Sequence, residues 1–418
     1  MREPLVSPRI RGFIATNAHP IGCARNVERQ IDRARRARDG WTGGNALILG
    51  ASSGYGLATR IVAAFGYGMN TLGVGFQRPA KSGRTASAGA YNTAAFSAAA
   101  TADGLEAVNV RGDAFSGEVL REALTHLRAR LGTVDLVIYS LAAPMRTDPV
   151  SGVTHRSVLK TIGGPATEKT INLRTEEVVP IEVPSASERE IADTIAVMGG
   201  SDLERWVTAL LHTGLLARNA RVIAYSYSGP TLTQPFYLRG TMGRAKADME
   251  ATCRRLDARL RPAIGGRCYA SVNKSVITQA AMAIPIFPLY VSTTYAVMRE
   301  HGVHEEAIDQ IMRLFRDHLA PGVEPTLDAE DRIRLDDREL AAEIQTEIAA
   351  RWPQLDTANL YALTDWAECR QAFRQLFGFD VPGVDYAVSV ETHETVGSGL
   401  ARAAGDLSYP TLARHASS

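Results

Sequence analysis

The apolar run Ala46–Leu49 leads directly into the heptapeptide Gly50–Gly56 (GASSGYG) and then into the helix-like stretch Leu57–Gly68. Strand, glycine turn and helix in that order begin a dinucleotide-binding fold, because glycine permits the tight turn and lets amides at the helix N-terminus approach a pyrophosphate. Gly50, Gly54 and Gly56 follow a G-x-x-x-G-x-G frame in place of G-x-G-x-x-G, with the same physical requirement. A purely structural turn is the plainer reading of such glycines alone; the strand before and the helix after favour the dinucleotide. Ser52 and Ser53 can serve a phosphate or cap the helix, and the sequence leaves both uses open.

Further short apolar runs follow at Thr71–Phe76, Glu106–Val110, Val134–Ser140, Arg221–Tyr227 and Arg267–Val272, with helical patterns at Ser116–Leu131, Asp202–Leu216 and Met242–Leu260 between them. This alternation predicts the α/β class, a Rossmann-type doubly wound parallel sheet. Thr167–Pro184 alternates polar with β-branched residues and predicts an inserted β-hairpin. After Ile284 the chain reads as mostly helical, with amphipathic stretches at Glu305–Leu319 and Arg338–Ile348. The expectation is one large dinucleotide-binding domain over 1–418: a core at about 44–280, the hairpin at about 165–185, a helical substrate cover at about 281–380, and a tail, 390–418, expected to be disordered.

With 418 residues, 45% of them hydrophobic, the chain can bury a sizeable core, which excludes a disordered protein. A formal net charge of +1 argues against a nucleic-acid surface. Cys23, Cys253, Cys268 and Cys369 are scattered without CxxC spacing, which points to reduced cytosolic thiols with neither zinc nor disulfides. The most apolar segment, Ala280–Met298, contains Pro285 and Pro288 and reads as a buried helix with a kinked start in preference to a membrane span. The arginine-rich run Asp32–Asp39 reads as a solvated helix face. Only five of the 46 cationic residues are lysines (Lys81, Lys160, Lys169, Lys246 and Lys274), so each is a candidate for a place that needs an ammonium.

The second strand ends at Phe76, Gln77 and Arg78, where an acidic residue would bind the adenosine ribose 2′-hydroxyl and repel a 2′-phosphate. Gln77 can bond the hydroxyl without repelling the phosphate, and Arg78 either meets a phosphate or faces solvent. The third strand leads into Asp113 and Ala114, a place for adenine contacts, and the fourth into Leu141 and Ala142 on the nicotinamide side. None of the thirteen tyrosines has a lysine four positions on, so the Y-x3-K arrangement of ordinary ketoreductases is absent. Tyr237 and Lys246 stand instead in a Y-x8-K spacing, which puts the tyrosine ahead of the helix that carries the lysine. In reductases on this fold such a pair supplies a proton donor and a cofactor-ribose ligand that lowers the tyrosine pKa. Tyr225 and Tyr227 close the fifth strand with their geometry open, and Lys274 reads equally as a site residue or a structural ion pair.

These residues carry a resemblance to the FabV-type trans-2-enoyl thioester reductases. It runs through Arg11–Cys23, GASSGYG, Gly112–Ser116, Tyr139–Pro144, Met198–Trp206, the Tyr237–Lys246 segment, Lys274–Ala280, Ile284–Tyr290, Arg332–Asp337 and Leu376–Asp380. The resemblance implies a single reductase domain that uses NADH to reduce the C2–C3 double bond of enoyl-CoA or enoyl-acyl carrier protein, with hydride to C3 and tyrosine-assisted protonation at C2. It implies Tyr237 as proton donor, Tyr227 on the substrate's thioester carbonyl, and Lys246 on the cofactor ribose. Gly50, Ala51, Ser52, Ser53, Gly54, Tyr55, Phe76, Asp113, Ala114, Leu141, Ala142, Val276, Ile277 and Thr278 would line the cofactor. Family members carry glutamate where this chain has Gln77, which leaves NADPH use open. No metal is implied, and family members are cytoplasmic monomers. The rival readings are a reductase of another enone or carbonyl in a specialised pathway, and a non-catalytic NAD(P)H-binding protein.

Overall fold

The computed structural model describes residues 5–36, 43–81 and 84–392. Before the glycine turn come a short ribbon, β1 (Ile10–Arg11) with β2 (Ile14–Ala15), and helix α1 (Pro20–Arg35). The first half of the main sheet alternates strand and helix: β3 (Asn45–Leu49), α2 (Gly54–Ile61), β4 (Asn70–Gly75), α3 (Ala88–Ala102), β5 (Ala107–Arg111), α4 (Gly117–His126) and β6 (Val134–Tyr139). Two antiparallel hairpins follow, β7 (Met145–Thr147) with β8 (Thr154–Arg156) and β9 (Ala166–Asn172) with β10 (Glu177–Val183). The second half has α5 (Glu188–Met198), α6 (Ser201–His212), β11 (Leu216–Ser226), α7 (Thr241–Ile264) and β12 (Arg267–Val272). It continues with α8 (Phe287–Glu300), α9 (Ala307–Leu314), β13 (Arg332–Arg334), α10 (Ala342–Arg351), α11 (Leu360–Leu363) and α12 (Trp366–Gln375).

The seven-stranded sheet has the order β13-β12-β11-β6-β3-β4-β5, and every neighbouring pair is parallel. From β3 the chain winds one way through β4 and β5 and the other way from β6 onward, so the topological switch lies between β3 and β6. Ligands of doubly wound sheets bind outside the carboxyl ends of the strands at that switch. Within β3, Ala46 and Ile48 pack into the core on one face of the sheet and Leu47 and Leu49 into the core on the other. A strand buried on both sides reads as an unbroken apolar run, which is why it was legible.

All six predicted sheet strands are present, as is the predicted hairpin, now β9–β10. The seventh strand and the two smaller ribbons are additions: at two or three residues they are too short to display a period of two. The prolines of Ala280–Met298 do not kink a continuous helix. A single 3₁₀ turn (Ala281–Ala283) precedes α8, Pro285 lies between them, and Pro288 occupies the first turn, where its missing N–H costs nothing. Residues 287–298 are all buried, and among the described residues no helix is long and apolar enough to cross a membrane.

In the arginine-rich run Asp32, Arg35 and Arg36 are exposed, as on a solvated face, and two of its arginines also make ion pairs. Its described part ends α1, where Arg33 pairs with Glu306 and Asp309 and Arg35 with Asp103, while Ala34 is fully buried. Residues 37–39 of that run, and the tail beyond residue 392, lie outside the described residues. The four cysteines are free and buried.

Candidate active site

The cradle is built from backbone. Gly50 takes φ +91°, and the amides of Gly50 and Ala51 both donate to the Val74 carbonyl at 2.9 Å. A Cβ on Gly50 would stand 2.1 Å from the Ser140 carbonyl oxygen, and one on Gly56 would stand 2.1 Å from the Gly50 carbonyl oxygen. Only glycine lets β3, the β6 exit and the start of α2 approach so closely. Ser53 occupies the N-cap of α2 but makes no side-chain cap hydrogen bond. Of the two uses left open by the sequence, capping by Ser53 is therefore not the one adopted.

The other cofactor candidates gather around this turn. A Cβ on Gly54 would lie 3.4 Å from Thr278, Tyr55 Oη donates to the Lys274 carbonyl at 2.7 Å, and Leu141 lies 3.3 Å from a Cβ placed on Gly50. Val276 and Ile277 are buried, Ala142 is exposed, and Phe76 is 73% exposed beside the turn. Gln77 is half-buried and donates from Nε2 to Thr93 Oγ1 at 2.7 Å, whereas Arg78 is exposed. Asp113 accepts the Phe115 amide at 3.0 Å. The Ala114 carbonyl accepts from Arg205 Nη2 at 2.8 Å and Trp206 Nε1 at 3.1 Å, so α6 pins the loop after β5.

Beyond β11 the two tyrosines part. Tyr225, still on the strand, is buried with its hydroxyl 2.6 Å from Thr59 Oγ1 and its ring against Tyr55. Tyr227 lies one residue past the strand and meets Tyr237 edge to face, ring centroids 4.9 Å apart. Tyr237 sits in the turns ahead of α7, and Lys246 in the second turn of that helix donates from Nζ to the Tyr225 carbonyl at 2.9 Å. Burial lowers the Lys246 ammonium to about 8, against the pull of Glu250. Burial and then Glu250 push the Tyr237 phenol up, and burial and then Glu339 do the same for Tyr227. The Tyr237 phenol is therefore raised, where a neighbouring lysine was expected to depress it: desolvation dominates, and one N–H of the lysine is held by a backbone carbonyl. Lys274 is also fully buried, donating to the Ser275 carbonyl at 2.9 Å with its ammonium 4.5 Å from the Tyr295 ring centroid.

Sequence reasoning missed a carboxyl group beside these tyrosines. Glu339 is completely buried and accepts from Tyr290 Oη at 2.6 Å, the Ser275 amide at 2.7 Å and, at the outer limit of a hydrogen bond, Tyr227 Oη at 3.5 Å. It lies two residues beyond the recognised Arg332–Asp337 motif, at the start of the stretch Arg338–Ile348 that read as amphipathic helix; the helix begins only at Ala342, and Glu339 stands in the turn before it.

Three family models account for most of the chain. One described as the NAD(P)H binding domain of trans-2-enoyl-CoA reductase matches residues 5–82, and one described as the trans-2-enoyl-CoA reductase catalytic region matches residues 84–320. A curated enoyl-[acyl-carrier-protein] reductase [NADH] from Opitutus terrae is 48% identical over 390 residues, 93% of this chain and 99% of its own. The chain belongs to the FabV-type enoyl thioester reductase family. The family's solved folds superimpose closely. The trans-2-enoyl-CoA reductase of Treponema denticola in complex with NAD matches at TM-score 0.90 and 41% identity, covering 94% of this chain and 99% of that one. The Clostridium acetobutulicum enzyme in complex with NADH matches at TM-score 0.90 and 38% identity, covering 93% and 98%.

The dinucleotide of this family fits the residues present: a glycine cradle that a Cβ would fill, an uncapped helix start, and a buried ammonium nearby. A third model, described as an enoyl reductase FAD binding domain, matches residues 327–390. That region does not fit a flavin. Its only glycines are Gly378 and Gly383, and a Cβ on Gly378 would stand 2.4 Å from the His19 carbonyl oxygen, so the close approach there is chain against chain. Trp352, Trp366, Phe373 and Phe377 pack into one core with α8, leaving their faces to protein.

Proposed function

We infer that this protein is an NADH-dependent enoyl thioester reductase that saturates the C2–C3 double bond of trans-2-enoyl-CoA or enoyl-acyl carrier protein. The observation that carries the reading is the edge-to-face Tyr227–Tyr237 pair beside Lys246, at the strand ends that border the glycine cradle. When bound, the dinucleotide supplies a hydride to C3 of the substrate. Negative charge then grows on the thioester oxygen, and the hydroxyls of Tyr227 and Tyr237 stabilise it by donating hydrogen bonds. Because burial holds the Tyr237 proton firmly, the phenol stays protonated at neutral pH until that charge appears, and C2 receives the proton from Tyr237 or through solvent. Lys246 keeps one N–H on the Tyr225 carbonyl, and its remaining donors would hold the nicotinamide ribose.

The remaining cofactor residues would hold the dinucleotide around the cradle: Gly50–Tyr55 its pyrophosphate, Phe76 and Gln77 its adenosine ribose, Asp113 and Ala114 its adenine, and Leu141, Ala142 and Val276–Thr278 its nicotinamide side. The uncharged Gln77 and exposed Arg78 support measurable use of NADPH alongside NADH. The buried start of α8 is taken as a wall for the acyl chain, because apolar cover excludes water from the reaction. On the family resemblance alone, the enzyme is a cytoplasmic monomer whose residues 1–418 form one reductase domain.

The test is loss of NADH or NADPH absorbance with purified enzyme against enoyl-CoAs of graded length. Turnover of crotonyl-CoA or longer enoyl thioesters is expected. Reduction only of some other carbonyl compound overturns the substrate, and cofactor binding without any turnover overturns the enzyme.

A further inference from the structure

Glu339 stands where three segments meet. Its Oε1 accepts from Tyr290 on α8 and faces the Tyr227 hydroxyl from the loop after β11, and its Oε2 accepts the Ser275 amide from the loop after β12. Its own backbone carbonyl accepts from Gln345 Nε2 at 2.7 Å, and three residues earlier Asp336 accepts from Ser228 Oγ at 3.2 Å. Asp336 is in turn paired with Arg334 at the end of β13. The segment 336–339 therefore grips the Tyr227 loop from two sides.

Burying a carboxyl group completely is costly, and an apolar side chain of similar size would fill the space without that cost. What a carboxylate alone can do is accept on both edges at once. Every neighbour bonded to the Glu339 side chain presents a donor: two phenolic O–H groups on one oxygen and an amide N–H on the other. Burial raises the Glu339 carboxyl, with Lys274, Tyr290 and Ser275 pulling the other way.

We propose that Glu339 is a positioning residue for the reduction, which aims the Tyr227 hydroxyl at the thioester oxygen and ties it to the 274–278 segment that borders the cofactor. This rests on the reading above in which Tyr227 touches the thioester. The long 3.5 Å contact is the useful one: Tyr290 holds Oε1 tightly, so the Tyr227 proton is kept near a carboxylate yet remains available to a stronger acceptor, the oxygen on which charge develops. The sequence placed nothing here, because Glu339 is 112 residues from Tyr227 and 64 from Ser275 along the chain.

The experiment is a double-mutant cycle on the full chain: Glu339→Gln, Tyr227→Phe and both together, with kcat for crotonyl-CoA and the Kd for NADH measured for each. Glutamine keeps the shape but must set an N–H₂ against donors on one edge. Glu339→Gln is expected to lower kcat about tenfold with the NADH Kd within about threefold of wild type, the order of effect of one misdirected hydrogen bond. In the Tyr227→Phe background the same change is expected to do nothing further. Additive losses, or an unchanged kcat in Glu339→Gln, overturn the proposal while the reading of Tyr227 survives. An unchanged kcat in Tyr227→Phe sinks that reading itself. Should Glu339→Gln fail to bind NADH, Tyr290→Phe takes its place in the cycle. A kcat change that persists unaltered in the Tyr227→Phe background then counts against the proposal.

Discussion

The cofactor cradle and the catalytic pocket share the carboxyl end of the sheet but are built on opposite principles. The glycines of the cradle come from one stretch of chain, β3 through α2, and work through backbone: positive φ at Gly50 and Gly54 and carbonyl approaches, Ser140 among them, too close for any Cβ. The pocket comes from side chains drawn from the loop after β11, the turns before α7, α7 itself and the segment after β13. A local backbone device tolerates almost no substitution and fails as a fold. A dispersed side-chain device tolerates substitution structurally and fails as chemistry.

Substitutions should separate these two kinds of failure. The largest effect is expected for Tyr237→Phe, which removes the proton donor and should cut kcat by about a thousandfold while the NADH Kd stays put, measured by stopped-flow reduction and by NADH fluorescence. Gly50→Ala should do the reverse: its Cβ meets the Ser140 carbonyl, so stability should fall by about 3 kcal/mol and NADH binding should be lost, read from a melting curve and a titration. If Gly50→Ala melts like wild type, the cradle is not the rigid backbone device described.

Lys246→Met joins the two regions, and a rise in KM for NADH of about 10–100-fold is expected, at the cost of one charge-assisted hydrogen bond or two. The same group sets a pH dependence. Lys246 titrates at about 8 when folded and ordinarily at 10.5, so above pH 8 it loses its charge and the KM for NADH should climb, while the raised Tyr237 phenol stays protonated. Between those two values the unfolded chain binds more protons than the folded one. The cofactor-free enzyme should therefore gain stability from Lys246 as pH rises through this window, and that gain should vanish in Lys246→Met. Smallest is Gln77→Glu, expected to lower the NADPH to NADH activity ratio about tenfold by placing a carboxylate near the 2′-phosphate. An unchanged ratio removes position 77 as the discriminator.

The lysine scarcity shows how far composition can point. Two of the five lysines, Lys246 and Lys274, are buried among the tyrosines and the cofactor-lining loops, as a rare ammonium would suggest. Lys160 pairs with Glu190 and Lys169 caps the carbonyls of Pro353 and Leu355, which are structural uses. The same scarcity said nothing about acids, because carboxylates are plentiful here, and Glu339 looked like one more charge on an amphipathic stretch. Arg205 and Trp206 were legible only as part of a motif, and their grip on the Ala114 carbonyl needed coordinates.

By itself the sequence determined the glycine cradle, the doubly wound alternation and the Tyr237–Lys246 spacing, because each depends on neighbours within about a dozen positions and on the strict demands of backbone geometry. The tertiary structure alone decided which tyrosine turns inward to Thr59 and which outward to Tyr237, where the last strand of the sheet lies, and which of many carboxylates loses its water. Those outcomes follow from strands ending one residue sooner or later and from segments far apart in the chain meeting at the carboxyl end of the sheet. Burial and the donors that face a group are properties of that meeting, and no local pattern encodes them.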